Sequence, residues 1–424
     1  MTDRRAMRLG YLQRHAGALA RVGAVSVVGI LASTLFQVVT GRGLGPAAFG
    51  LLAAFLSIVN IAAIGGSALQ NSVAVSTART LAGTLSRPVT ARRWDGALVE
   101  GVVLGGGGAV VVAAMAGLLA GRLGTSPLAV ALAAATILPS FLLSVAQGRL
   151  QGADRAGAVA GWSTGSQVLR LALAVAALLV GLGAVSVLVA VLVAITAAAV
   201  GATWQADRAG LRVTAAPFSA HSLVLIGLTV AFAWLTNIDV VLVRTSAPEH
   251  PAGMYAAAAV LAKLILIVPT TLSLYLLPRF VKRGYDAPTM RFGVNVVLAT
   301  VLGAGLLGAG ALAVAGRWVI LLFFGTGYED AAELSVALAL AYVPWALAQG
   351  LLIRLTASRS RRALVALVVV AVAQWILAQR VLPDLHAMTL VIGGLGVVVA
   401  GAFYLLHLNR AAAPPSVPSA EVSA

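Results

Sequence analysis

The sequence contains no cysteine, which excludes disulfide frameworks, zinc–thiolate clusters and thiol catalysis. Charge is scarce too. Asp, Glu, Lys and Arg supply 10% of the 424 residues, where a soluble domain carries about 25%. Carboxylates are the scarcest, 13 against 29 Lys and Arg. Strict apolar–polar alternation is missing as well, so a transmembrane β-barrel is excluded. What fills the chain is apolar: 60% hydrophobic residues and a mean hydropathy of +1.00. Such a chain has too few polar side chains to cover a surface in water. Soluble globular, disordered and coiled-coil classes fall together, and an integral membrane protein remains. Backbone in lipid must satisfy its own hydrogen bonds, so the expected fold is all-α and polytopic.

A helix that crosses roughly 30 Å of hydrocarbon needs about 20 mostly apolar residues. Twelve stretches qualify: 17–40, 50–75, 97–121, 128–147, 159–181, 186–205, 222–243, 252–278, 292–315, 331–353, 363–380 and 388–407. Their connections carry an uneven load of cations. Of 29 Lys and Arg, 22 fall on the side of the N-terminus, five on the other side, and two within spans. The positive-inside rule therefore predicts cytoplasmic N- and C-termini. The net charge of +16 is a topology signal, and no nucleic-acid partner is expected. Arg outnumbers Lys 27 to 2, the composition of a GC-rich bacterial genome, so the expected location is a bacterial cytoplasmic membrane. The basic N-terminal lead is followed by an apolar run of span length that closes on Thr40-Gly41-Arg42-Gly43 without a small-residue cleavage box, which predicts an uncleaved first span.

Two short matches suggest an internal repeat. PAAFGLLAA at Pro46–Ala54 returns as PAGMYAAAA at Pro251–Ala259, offset by 205 residues, and AQG at Ala146–Gly148 returns at Ala348–Gly350, offset by 202. Six spans per half keep both halves in one orientation, the parallel repeat of two-lobed transporters. The expected organisation is a basic N-terminus (1–16), a six-helix lobe (17–205), a cytoplasmic linker (206–221), a second six-helix lobe (222–407), and a Pro/Ser/Ala tail (408–424).

Several motifs are decoys. Gly303-Ala-Gly305-Leu-Leu-Gly308 matches a dinucleotide fingerprint, and Gly161-Trp-Ser163-Thr-Gly165 a hydrolase elbow. Neither follows a strand, so both read as close helix packing through small residues. Gly101/Gly105, Gly117/Gly121 and the Gly105–Gly108 run read as packing or flexibility. His15, His221, His250, His386 and His407 form no pair at ligand spacing on one helix, so no metal site, no cofactor and no catalytic residue is expected.

Charge within the spans carries more weight, because it costs several kcal/mol unless paired or wet. Arg170 lies midway along span five, Asp239 in span seven and Lys263 in span eight; Glu100 sits near the inside end of span three. Arg170 and Lys263 are candidate substrate-binding cations, with snorkelling as the alternative. Asp239 and Glu100 are candidates for ion coupling or charge balance; Asp239 could instead pair with Arg244, and Glu100 could snorkel. Arg42 and Arg244 occupy equivalent outside turns and read as gate or interface residues. Gln37, Asn60, Gln70 and Asn71 on the first two spans suggest a partly wet face.

These residues also carry a resemblance. Gly43-Leu-Gly45-Pro46-Ala-Ala-Phe49-Gly50 resembles the "LGPxxFG" turn of polysaccharide-repeat (oligosaccharide-lipid) flippases, a family of the multidrug/oligosaccharidyl-lipid/polysaccharide exporter superfamily. Asn237-Ile-Asp239 with Gly253-Met-Tyr255-Ala-Ala-Ala resembles their "N-x-D … G-x-Y-x-A-A" signature, and Phe324-Gly325-Thr-Gly-Tyr328-Glu-Asp-Ala331 their "FG-x-x-Y-x-x-A" motif. The resemblance implies twelve to fourteen helices in two lobes and alternating access. It also implies outward transfer of a polyprenyl-diphosphate-linked sugar, with membrane lipid and polysaccharide assembly enzymes as partners. The family's cationic cavity would fall to Arg170 and Lys263, and a proton or sodium could couple at Asp239. Span one, 17–40, holds no Asp or Glu, whereas the cation-coupled drug-efflux branch places an acidic ion site there. The alternatives are an ion-coupled exporter of small molecules, a membrane scaffold that leaves the charges unexplained, and a multispan glycosyltransferase or polymerase. The last needs a large outside loop, and the longest here runs only from about Gly316 to Asp330.

Overall fold

A computed structural model describes residues 2–82, 95–211, 218, 220–267, 269, 287–357 and 360–411. The described residues are helical throughout, with short turns between. In order the helices are α1 (Thr2–Leu81), α2 (Gly96–Ala114), α3 (Ala116–Leu123), α4 (Pro127–Ala135), α5 (Ile137–Gly152), α6 (Ala156–Leu179) and α7 (Ala184–Arg208). Then come α8 (Ala220–Ser246), α9 (Glu249–Ala262), a 3-10 turn (Lys263–Leu266), α10 (Ala287–Phe324), α11 (Ala331–Ala357), α12 (Arg361–Val381) and α13 (Leu385–Ala411). Ten segments are long and apolar enough to cross a membrane among the described residues. The first covers two expected spans, divided where Gly45 adopts φ 71°, ψ 171° immediately before Pro46. That left-handed conformation costs glycine little, and the proline behind it suits the first turn of a new helix. The span expected at 252–278 is helical from Glu249 through Leu266, and from 270 onwards it lies outside the described residues.

Local signals set the helix ends. Asp95 accepts from the Ala97 and Leu98 amides at the start of α2, Ser126 caps α4 ahead of Pro127, and Asp384 accepts from the His386 and Ala387 amides. Gly124 closes α3 in the left-handed region. Spans 97–121 and 128–147 are each broken once, at Met115 and at Thr136. The expected outside segment Gly316–Asp330 is mostly helix, because α10 runs on to Phe324.

The chain divides into two compact units, Met1–Ala257 with Arg317–Ala332, and Ala258–Gly316 with Glu333–Ala424. In the first, α1 runs along α5, α6 and α8, and α7 backs α5 and α6. Its core holds Phe36, Leu52, Leu56 and Val59 of α1 against Ala174 of α6 and Val187 and Val191 of α7. In the second, α12 and α13 pair, and the Trp345 indole of α11 donates to the Ile392 carbonyl of α13 at 3.0 Å. Apolar side chains also cover the outside of the helices, Val314 at 88% exposure among them. Lipid is the solvent that such a surface needs. The unit boundary differs from the expected linker at 206–221, of which 212–217 and 219 lie outside the described residues, as does the tail from 412.

The glycine readings need one correction. A Cβ on Gly161, Gly165, Gly303, Gly308, Gly117 or Gly121 would meet nothing within 4 Å, so close helix approach does not explain them. Gly101, Gly105 and Gly305 do sit against neighbouring side chains.

Candidate functional site

Arg170 stands on α6 beside α1. Its guanidinium donates to Ser33 Oγ at 3.2 Å and lies over the Phe36 ring, 4.2 Å from the centroid. Its Nε is buried without a hydrogen-bond partner, and among the described residues no carboxylate pairs with it. A cation stacked on an aromatic face is stabilised without being neutralised. Lys263, in the second unit, opens the 3-10 turn and places its ammonium 5.4 Å from the Tyr342 ring centroid. Both mid-span cations thus rest against rings that the sequence did not single out.

Asp239 is fully buried on α8 and accepts from the Tyr255 hydroxyl of α9 at 3.0 Å. The two acidic and phenolic positions of the "N-x-D … G-x-Y" signature are therefore one hydrogen-bonded pair. Asn237, two residues before, donates to the Ala233 carbonyl of its own helix. Arg244 pairs with Glu249 at 2.9 Å and donates to the Leu123 carbonyl. Tyr255→Phe should leave buried Asp239 one donor short, which costs about 1–3 kcal/mol. A lower unfolding temperature of the purified variant in detergent is the expected reading, with Asp239→Asn the milder change.

Glu100 lies close to the N-terminal end of α2 and accepts from the backbone N–H of Phe218, just ahead of α8. It is buried, not snorkelling, and in this position it fixes the chain that leads into α8. Arg42 donates to the Leu321 and Leu322 carbonyls, the latter at 2.6 Å, and so caps the C-terminal end of α10.

The three resemblance motifs meet in the first unit. Phe49 packs against Phe324 and Tyr328, with ring centroids 5.4 and 6.2 Å away. The Tyr328 hydroxyl donates to the Gly41 carbonyl at 2.9 Å, and burial pushes that phenol well above its ordinary value, so it stays a donor. Gly253 of α9 presses on the backbone of Pro46 and sits against Gly50. These are the two segments whose sequences match at an offset of 205 residues, and they touch backbone to backbone.

Sequence reasoning missed Arg149. It reads as one of the inside-loop arginines, yet it is 2% exposed and pairs with Asp95 at 2.8 Å and Asp207 at 3.1 Å. The triad ties α5 to α7 and to the residue that caps α2. The signal available was the position of both carboxylates at the inside ends of other spans. Among the described residues no group of His, Cys, Asp or Glu is placed to hold a metal.

No family model matches the chain, and no curated protein matches its sequence. Its fold does match solved structures. An inward-facing multidrug resistance MATE family transporter of the MOP superfamily aligns at 14% identity over 91% of this chain and 94% of the other, with a TM-score of 0.66. The lipid II flippase MurJ, in an inward closed conformation, aligns at 13% identity over 92% and 87%, TM-score 0.62. A MOP superfamily transporter from Pyrococcus furiosus, described by a reversed polarity of its binding pocket, aligns at 14% over 93% and 95%, TM-score 0.57. The expected all-helical polytopic fold is the fold of these two-lobe transporters.

Proposed function

We propose that this protein is a membrane flippase that moves a polyprenyl-diphosphate-linked oligosaccharide unit from the inner to the outer leaflet by alternating access, in polysaccharide biosynthesis. The observation that carries the reading is Arg170, a guanidinium on a membrane-spanning helix, stacked on Phe36 and without a carboxylate. A diphosphate loses its hydration on crossing lipid, at a prohibitive cost for bare charge. A fixed cation offsets that loss, and a guanidinium adds a bidentate fork for phosphate oxygens. Lys263 supplies a second, compact charge. Likeness of fold to a lipid II flippase supports the reading. The repeat lobes, 17–205 and 222–407, are the bodies that move.

A second reading, an ion-coupled small-molecule exporter, draws on Asp239: a buried carboxylate with a hydroxyl donor is a group that a proton or sodium ion could occupy. Depletion of the protein separates the two. A flippase leaves lipid-linked glycan on the inner leaflet and strips surface glycan, with drug susceptibility unchanged; raised drug sensitivity with intact glycan would establish the exporter. Cytoplasmic termini follow from the cation asymmetry. Reporter fusions at Asp95, Asp286 and Arg359 are expected to read cytoplasm, and those at Ser126, Glu249 and Asp384 the outside. A single inverted reporter within that series would break the twelve-span alternation.

A further inference from the structure

Most amides on the spans of the first unit are spoken for. Gln70 donates to Gln151 at 2.9 Å, Gln147 to Ser163 at 2.8 Å, and the Trp162 indole donates to Gln205 at 2.7 Å. Four differ: the side chains of Asn60, Asn71, Gln37 and Gln167 have no hydrogen-bond partner among the described residues. Asn60 and Asn71 are exposed; the half-buried ones are Gln37 and Gln167. An amide on a membrane span with no protein partner must find water or a ligand. Their positions coincide with the candidate cation. Gln37 lies one turn from Ser33 on α1, and Gln167 lies three residues before Arg170 on α6, so each shares a face with a residue of the Arg170–Ser33 contact. The guanidinium bridges those two faces. Neither α6 nor the first apolar span holds Asp or Glu, so nothing there would favour a cationic ligand over an anionic one.

We infer that Gln37 and Gln167 are specificity residues that read sugar hydroxyls beside the phosphate held at Arg170. This rests on the flippase reading and names what it leaves open: the part of the substrate that is recognised. An amide offers two donors and an acceptor, and a hydroxyl can answer both kinds. A lipid diphosphate without its sugar leaves both amides unanswered, so the site discriminates the loaded carrier from the empty one. That difference keeps the empty carrier from competing for the site.

The chain's lack of cysteine makes a direct test simple. Gln37→Cys and Gln167→Cys should react with a membrane-impermeant maleimide in the purified protein reconstituted in vesicles. Val168→Cys, at an exposed apolar position within α6, should not. Binding is then measured with undecaprenyl diphosphate and with the same lipid bearing one N-acetylhexosamine. The unaltered protein is expected to prefer the glycosylated lipid by about tenfold, the worth of one well-made hydrogen bond in a desolvated site. Gln37→Leu/Gln167→Leu should erase that preference and keep binding of the bare diphosphate, whereas Arg170→Ala should lose both lipids. Unreactive cysteines at 37 and 167, or a preference that survives the double leucine change, would overturn the assignment. Absence of binding of either lipid by the unaltered protein would remove the flippase reading and this inference with it.

Discussion

Arg170→Ala and Lys263→Ala are each expected to lose most surface glycan while the protein still reaches the membrane at normal abundance. The reason is the asymmetry between making and breaking a desolvated charge contact. Removing one partner of a buried charged pair costs about 2–5 kcal/mol, and every 1.4 kcal/mol is about tenfold. Substrate left in lipid with an unanswered phosphate therefore crosses at least tenfold more slowly. Arg170→Lys should keep part of the activity: it retains the charge but gives up the planar fork and the better stack on Phe36. Lys263→Arg should likewise retain part of it, since the ammonium stands 5.4 Å from the Tyr342 centroid and a guanidinium can also stack on that ring. Surface glycan is scored by labelling intact cells, with membrane abundance measured on the same sample. Full export by the double alanine variant at normal abundance would return both residues to a snorkelling role.

The second large effect concerns a single methyl group. A Cβ at Gly253 would collide with the carbonyl oxygen and carbonyl carbon of Pro46. Both are backbone atoms, so no rotamer change relieves the collision. Overpacking a well-ordered contact ordinarily costs about 1–3 kcal/mol, and here a helix must move away from the kink that Gly45 and Pro46 create. Gly253→Ala is expected to lower folded protein severely, with the unfolding temperature down by many degrees in detergent. Gly310→Ala is the control. It lies in α10 with nothing within 4 Å of the new atom, and a Gly-to-Ala change inside a helix gains about 0.5–1 kcal/mol. Gly253→Ala matching that control would show that the two segments do not meet.

Composition and periodicity determined the class of this molecule without reference to any contact. With 10% charged residues and hydropathy sustained over span after span, the chain has no folded form in water, and lipid then admits only helices. Loop arginines set the expected topology for the same reason: their cost in hydrocarbon is a property of each residue alone. Gly45-Pro46 and the Asp95, Ser126 and Asp384 caps are equally local. What tertiary structure decided is everything that depends on partners far apart in the chain. Arg149 counts as a loop cation until Asp95 and Asp207 arrive from other helices to bury it. Glu100 looks like a charge at a span end until the Phe218 amide reaches it. The signature glycines and tyrosines read as three separate motifs, at 43–50, 237–258 and 324–331. Only packing reveals that Phe49, Phe324 and Tyr328 are one cluster, and that Gly253 is glycine because Pro46 occupies the space of its side chain. Charge and hydropathy act through the solvent, which every residue meets by itself, whereas close packing and paired burial exist only once two distant segments share the same space.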